Sequence, residues 1–451
     1  MSCVKPNAKL LRAFVLAVIG AAVLVVFGQS AEALPSYARQ TGQQCAACHN
    51  GFPELTPYGR LFKLNGYVFG GGQSNLPPLA VMLVPSFTHT DSAQTSGAAT
   101  HYGPNDNFAI PQSGSLFYGG AISSQLGIGT FTQVTYDHVG RSFAWDNTDI
   151  RYAKSTTLGG ETVFGVSLNN NPSVTDLWNS TPAWGYPFLT SELAPSQTAS
   201  TMIEGGFAQQ VAGLNAYAFW NRLVYAEFGA YTTLTKGMDS ALGVSPTGTD
   251  AIKGVAPYWR LAVQPQWGPN SFEAGVFGMA AAINPGRVTG FGTDHKIDIG
   301  FDTQYQYLAD INSFSVQASW ITENQKLTAS QALGNSTNSN NHLRSLRVKA
   351  SYYYNQTYGG TIGYFHTDGT SDAALYADLA NNSPNTTGWS AELDYMPFNH
   401  GGPSFWPWLN MKIGIQYILY TKFDGAVHNI DGAGRNASNN NTLFLFDWIA
   451  F

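Results

Sequence analysis

From Leu79 onward, apolar and polar side chains alternate. Ile297, Ile299, Phe301, Thr303, Tyr305 and Tyr307 occupy every second position, with Asp298, Gly300, Asp302, Gln304 and Gln306 between them. The same period separates Leu346, Val348, Ala350, Tyr352 and Tyr354 from Arg347, Lys349, Ser351 and Tyr353. It separates Trp389, Ala391, Leu393 and Tyr395 from Ser390, Glu392, Asp394 and Met396. A fourth run sets Leu409, Met411, Ile413, Ile415, Tyr417 and Leu419 against Asn410, Lys412, Gly414 and Gln416. Successive side chains of a strand point to opposite faces, so each run predicts a strand with one apolar and one polar face. A soluble sandwich would turn the apolar face inward. A membrane barrel turns it to lipid and lines its lumen with the polar face. Aromatics near strand ends, such as Tyr417 with Tyr420, favour the membrane version through interfacial girdles.

The connections support the barrel. Short turns are expected at 127–129, 158–160, 211–213, 268–270, 309–311 and 356–359, with a longer one at 398–406. Between them lie long polar segments at 91–114, 139–148, 170–201, 233–253, 284–295, 324–343, 369–387 and 422–441. Alternating short and long connections are the outer-membrane pattern, and eight long loops imply about sixteen antiparallel strands. Both barrel ends then fall on the periplasmic side. The longest loop opens on Asn169-Asn170-Asn171-Pro172-Ser173-Val174-Thr175-Asp176-Leu177-Trp178. It is read as an ordinary surface loop in preference to one folded into the lumen. The chain ends in Phe451 after Leu443, Leu445 and Ile449, similar to the terminal assembly signal of outer-membrane proteins, although Asp447 interrupts the apolar face.

Composition agrees. Charged residues make up 11 % of the chain, against about 25 % in soluble domains, and aromatics reach 14 %. Lys5, Lys9 and Arg12, an apolar run over 13–27 and Ser30-Ala31-Glu32-Ala33 have the layout of a secretory signal peptide cleaved after Ala33. The run is short of the ~20 residues of a spanning helix. Cleavage leaves 19 basic against 27 acidic side chains, a formal charge of −8, and two cysteines, so no disulfide is expected. Nothing suggests nucleic-acid binding. The predicted organisation is a signal peptide at 1–33, a short segment at 34–78 that carries both remaining cysteines, and an all-β outer-membrane barrel at 79–451.

The chemistry of the short segment rests on Cys45-Ala46-Ala47-Cys48-His49. In a C-x-x-C-H motif both thiols form thioethers with the haem vinyl groups, and the histidine is delivered to one face of the iron. A structural zinc site would need four protein ligands, and the remaining cysteine, Cys3, lies in the segment removed. A redox dithiol would want a βαβ setting, and none follows. One covalent haem c is therefore expected, with Cys45 and Cys48 as attachment points and His49 as proximal ligand. The segment carries Pro35, Pro53, Pro57, Pro77 and Pro78, so it reads as mostly loop with a helical turn or two around 60–64. Because it immediately precedes the first strand, it can fold into the lumen from the periplasmic side as a plug. For the sixth ligand, Met82 faces inward by strand parity, and His89 and His101 are nearest in sequence but lie near or in the first external loop. Met279 and Met396 also fall on lumen-facing sides. Arg39, Arg60 and Lys63 could pair with haem propionates or with lumen carboxylates such as Asp298 or Asp394. Asp294-His295 and Asp137-His138 could touch an external metal ion, though isolated pairs of this kind are common.

The run Pro35-Ser36-Tyr37-Ala38-Arg39-Gln40-Thr41-Gly42, the Cys45 to His49 motif, and Phe52-Pro53-Glu54-Leu55-Thr56-Pro57-Tyr58-Gly59-Arg60 followed by Phe62-Lys63-Leu64-Asn65-Gly66-Tyr67 resemble the fused monohaem cytochrome–porins, which include outer-membrane iron(II) oxidases. The resemblance covers about residues 34–70 and implies extracellular Fe(II) as electron donor and a periplasmic cytochrome or copper protein as acceptor. Gln43-Gln44 and the stretch from Pro53 to Pro57 depart from the iron oxidases. The expected function is electron transfer across the bacterial outer membrane, with iron(II):cytochrome oxidoreductase activity as its enzymatic form. Two alternatives stand beside it: a porin whose haem segment is a structural plug, and a haem enzyme or sensor with an open sixth position.

Overall fold

The computed structural model describes residues 34–69, 77–94, 97–157 and 160–451. The expected signal peptide at 1–33, with Cys3, and most of the linker at 70–78 lie outside them.

Sixteen strands form one antiparallel sheet that closes on itself. In chain order they are β1 Leu79–Thr90, β2 Asn107–Ser123, β3 Ile128–Asp137, β4 Ser142–Thr156, β5 Thr162–Asn169, β6 Val211–Trp220, β7 Val224–Thr233 and β8 Ala256–Val263. The second half comprises β9 Asn270–Asn284, β10 Asp294–Leu308, β11 Asn312–Lys326, β12 Asn340–Tyr354, β13 Tyr358–Gly369, β14 Thr386–Tyr395, β15 Asn410–Lys422 and β16 Thr442–Ala450. Two-residue pieces at Ala251–Ile252 and Gln266–Trp267 extend the pairing at the ends of β9. Closure comes from β1 against β16, with Met82 opposite Ala450 and Leu83 opposite Ile449. The terminal Phe451 exchanges two backbone hydrogen bonds with Val81, of 2.8 and 2.9 Å.

The alternation read from sequence sets the two faces. Ile297, Ile299 and Phe301 are exposed on the outside of β10, while Asp298, Asp302, Gln304 and Gln306 are buried within. Trp389 and Leu393 face out from β14, and Ser390, Glu392 and Asp394 face in. A sheet with an apolar outer belt and a polar bore is stable in lipid, because closure leaves no strand edge unpaired.

Two expected connections differ. The segment at 139–148 is not a long loop: β4 begins at Ser142, and only 138–141 connect it to β3. The turn expected at 211–213 is the start of β6, and the reversal falls at 221–223, where Asn221 and Arg222 adopt φ of 51 and 52°. Gly213 marks close packing instead of a break, since a Cβ there would run into the Tyr231 ring on β7. The remaining connections alternate short and long, which gives the barrel a short-turn end and a long-loop end.

The bore is filled by two segments. One is the stretch ahead of β1, with helices α1 Pro35–Thr41, α2 Cys45–Cys48 and α3 Pro57–Leu64, more helical than its prolines suggested. Pro35 and Pro57 sit in the first turns of α1 and α3, where no N–H is needed. Thr56 caps α3 by accepting from the Gly59 N–H. The other is the connection over 170–210. Contrary to the surface-loop expectation, Asn171, Ser173 to Ser180 and Thr181 are buried, and Trp178 is 0 % exposed. Asp176 makes this burial possible by accepting from the backbone N–H groups of Trp178, Ser180 and Thr181 at 2.8 to 2.9 Å. With its own polar groups satisfied, the loop can present an indole to the bore, where Trp178 Nε1–H donates to Gln264 Oε1 at 2.7 Å.

Candidate functional site

Cys45 and Cys48 form one helical turn, both buried and not joined by a disulfide. The turn is held from both sides. The Ala46 N–H donates to Asn399 O at 3.1 Å, in the turn between β14 and β15. The Cys48 carbonyl accepts from the Thr56 N–H at 2.9 Å, and Thr56 Oγ1–H donates to Ala47 O at 2.8 Å. Gly51 follows with φ of 61°, and a Cβ there would strike the ring of Tyr353 on β12. The motif is thus pressed directly against the inner wall.

His49 Nδ1 lies 2.9 Å from the Pro53 carbonyl. That contact assigns the proton to Nδ1 and leaves the Nε2 lone pair free to bind a metal. Burial pushes the imidazole down to about 4, against the opposing backbone hydrogen bonds, so it is neutral at neutral pH. Its ring meets Phe52 edge-on at 5.1 Å, and Phe52 meets Trp448 at 4.9 Å. These residues line a cavity of about 360 Å³, together with Cys48, Met82 and Phe117, within the size class of cofactor pockets. Gln133, Asp146 and Glu192 add polar groups to the lining. The chemistry fits a c-type haem: two thiols in one turn, a neutral imidazole of fixed tautomer, and an apolar aromatic-walled space beside them.

Burial pushes the Cys48 thiol up to about 12. Because the thiolate is the reactive form, maleimide is expected to leave Cys45 and Cys48 unmodified in the folded, haem-free protein and to label both in denaturant. Mass spectrometry reads this directly, and rapid labelling of the folded form would contradict the burial.

The other sequence-predicted residues separate. Met82 faces the cavity at 8 % exposure. His89 does not: its Nδ1 pairs with Asp106 Oδ1 at 2.7 Å near the long-loop end. His101 is exposed in the loop between β1 and β2, with φ of 76°. Met279 packs in another cluster with Phe277, and Met396 lies beneath Phe52 and Trp448. Arg39 stacks on Trp408 at 5.6 Å and donates to the Leu79 carbonyl. Arg60 is engaged with the wall: Nη1–H donates to Gln304 and Gln306 Oε1 at 2.9 and 3.1 Å, and Nη2–H to Ser271 Oγ at 3.1 Å. Neither arginine lines the cavity; Lys63 does. Asp298 and Asp394, named as alternative partners, instead accept from Ile203 N and pair with Lys412.

Lys63 joins the two lumen-filling segments, because Nζ donates to the carbonyls of Val174 at 2.6 Å and Asp176 at 2.7 Å. Burial pushes its ammonium down to about 7, with Arg151 adding to the effect and Asp149 and Asp176 opposing it. With the folded value below the ordinary 10.5, the unfolded chain binds more protons between the two values. Stability therefore rises with pH across that window, and the cost of the buried charge is fully present below it. The thermal midpoint of the detergent-solubilised protein is expected to climb over this range, and Lys63→Met to remove that part of the slope. Equal slopes in the two proteins would contradict it.

Sequence reasoning missed Glu54 as an anchor. It is fully buried and ion-paired with Lys349 on β12, and it accepts from Gln306 Nε2–H at 2.7 Å. Burial alone would raise the carboxyl, but the Lys349 ammonium holds it below the usual carboxylate range. The Asp-His pairs assemble no metal site: Asp294 caps a short helix through the N–H groups of Ala329 and Ser330, and Asp137 accepts from the Gly140 N–H. Among the described residues no three or more His, Cys, Asp or Glu are grouped to hold a metal ion.

These features define a sixteen-stranded outer-membrane β-barrel. No family model and no curated protein matches the chain. Solved structures similar to it include Pseudomonas putida OprB, at 15 % identity and a TM-score of 0.45, covering 83 % of this chain and 93 % of that one. The outer membrane channel DcaP of Acinetobacter baumannii is similar at 12 % identity and a TM-score of 0.42, over 85 % of this chain and 100 % of that one. An anion-selective porin from Comamonas acidovorans is similar at 12 % and 0.43, over 82 and 97 %. The likeness is one of fold.

These findings correct three expectations. The resemblance of residues 34–70 to the cytochrome–porins does not extend to a family assignment, since the similar structures are outer-membrane porins and channels. The electron-carrying cytochrome is likewise not what the comparisons return, since the similar structures are porins and channels. Iron(II):cytochrome oxidoreductase activity loses its footing as well, because no cluster among the described residues offers the ion a site.

Proposed function

We propose that the chain is an outer-membrane porin with a plugged lumen. Residues 34–69 are the plug, reaching the bore from the periplasmic side after removal of residues 1–33, and the barrel from Leu79 sits in outer-membrane lipid. The observation that carries this reading is the commitment of the segment's charged side chains to the inner wall: Glu54 with Lys349, and Arg60 with Gln304, Gln306 and Ser271. Charged groups are almost never fully buried unless paired, so these contacts are those of a docked element. The loop at 170–210 narrows what remains of the bore. One haem c belongs to the plug, held by Cys45 and Cys48 with His49 as proximal ligand. Such a group would supply a ligand-binding iron in a large apolar macrocycle. The chain's own part is to bury the thiols, fix the imidazole tautomer through Pro53 and wall the macrocycle with Phe52, Phe117 and Trp448.

Liposome swelling with the purified full chain tests the transport reading. Slow but measurable flux of small solutes is expected, nearly the same in His49→Ala, because the permeating path depends on the plug and not on the iron ligand. A barrel impermeable to every small solute in both forms, with or without the plug, would overturn it.

A further inference from the structure

We infer that the thioether sulfur of Met82 is the second axial ligand of the iron held by the Cys45 to His49 turn. The inference rests on the haem reading above and deepens it.

Met82 and His49 belong to different elements, yet they line the same cavity. Met82 is directed there by strand parity. Its neighbours Val81 and Leu83 are partly exposed on the outer face, whereas Ala80, Met82 and Val84 are buried on the inner face. The residues paired with it across the ladder are small, Ser115 on β2 and Ala450 on β16, and both also line the cavity. A flexible thioether flanked by a serine and an alanine has room to reach into the space. The path between the two ligands is aromatic: His49 abuts Phe52, Phe52 abuts Trp448, and Trp448 packs against the cluster of Met82 with Phe117 and Phe446. That is the lining an apolar macrocycle requires.

The other donors are committed elsewhere. Lys63 gives Nζ–H bonds to Val174 O and Asp176 O. Tyr37 donates to Thr130 O at 2.9 Å and Tyr67 to Asp149 Oδ2 at 2.6 Å. Met396 lies beneath Phe52 and does not line the cavity. Of these candidates Met82 alone both lines the cavity and gives up no hydrogen bond in binding iron, and a soft thioether suits haem iron.

The test uses the full chain produced with covalent haem attachment, compared with Met82→Leu, Met82→His and Met396→Leu. Met→Leu conserves volume and is well tolerated in cores, and Met396→Leu controls for loss of a buried thioether. Denatured mass and haem staining first report attachment. In the oxidised wild type, the sulfur-to-iron charge-transfer band at the red edge of the spectrum is expected. It should be lost in Met82→Leu with a change in spin state, be absent but with low spin retained in Met82→His, and persist in Met396→Leu. The midpoint potential should fall in both Met82 variants, since methionine ligation raises it. Attached haem whose band survives Met82→Leu, or that shows no thioether band in the wild type, overturns this inference alone. A chain with no covalent haem overturns both it and the haem reading.

Discussion

Removing residues 34–76 is expected to raise single-channel conductance in planar bilayers by about an order of magnitude, because a sixteen-stranded barrel without a plug encloses an aqueous channel. The closing seam of the barrel does not run through the plug. It is a backbone ladder, with Met82 opposite Ala450 and Phe87 opposite Leu445, and the ladder is closed without any residue ahead of Leu79. Wall groups that lose partners, such as Gln304, Gln306 and Lys349, pass from burial to contact with channel water, so they are not left unsatisfied. The loop over 170–210 still crosses the bore through Trp178 and its bonds to Gln264, Gln304 and Gln317. The truncated barrel should therefore remain narrower than an empty one and keep its size cut-off. Heat-modifiable mobility on gels confirms the fold. Conductance equal to that of the full chain in a folded truncation would show that residues 34–69 do not close the pore.

Lys349→Met carries the second large effect. Glu54 and Lys349 are 0 and 3 % exposed by side chain, and the ammonium also sits over the Phe188 ring at 4.8 Å. Removing one partner of a buried pair leaves the other charge without compensation and costs ~3–5 kcal/mol. The loss falls on docking of the plug, because Glu54 belongs to the plug and Lys349 to the wall. Spontaneous openings in bilayers and faster proteolysis within 34–69 are the expected readouts, with the barrel's own melting little changed. Glu54→Gln combined with Lys349→Met removes both charges and should recover much of the docking. A double variant as open as the single one would place the effect in packing around Phe188 and not in the charge.

The barrel was legible because its rule is local. At each position from β10 to β15, lipid or lumen is decided by whether a residue sits on the odd or even register, so Ile299 against Asp298 or Leu393 against Glu392 could be read directly. Seven of the eight expected long connections and the count of sixteen followed from the same alternation, whereas 139–148 proved to be mostly strand. What could not be read depends on closure. Glu54 and Lys349 lie 295 residues apart, and they meet only because the sheet comes round on itself. The inward fold of 170–210 was hidden for a related reason. Its run of Asn, Pro, Ser, Thr and Asp looks like a solvated loop, yet those side chains satisfy the loop's own backbone and so allow Trp178 to be buried. Within the candidate site, the motif and the inward direction of Met82 were visible. The place of His89 and His101 near or in the first external loop could be read as well, and the structure keeps both there, away from the motif.

The seam between β1 and β16 also sets where wall and stopper meet. β1 follows the plug in the chain, and its Val81 is the partner of Phe451 in the closing pair. The strand that completes the cylinder is therefore the one that carries the plug's tether, so both depend on a single fastening.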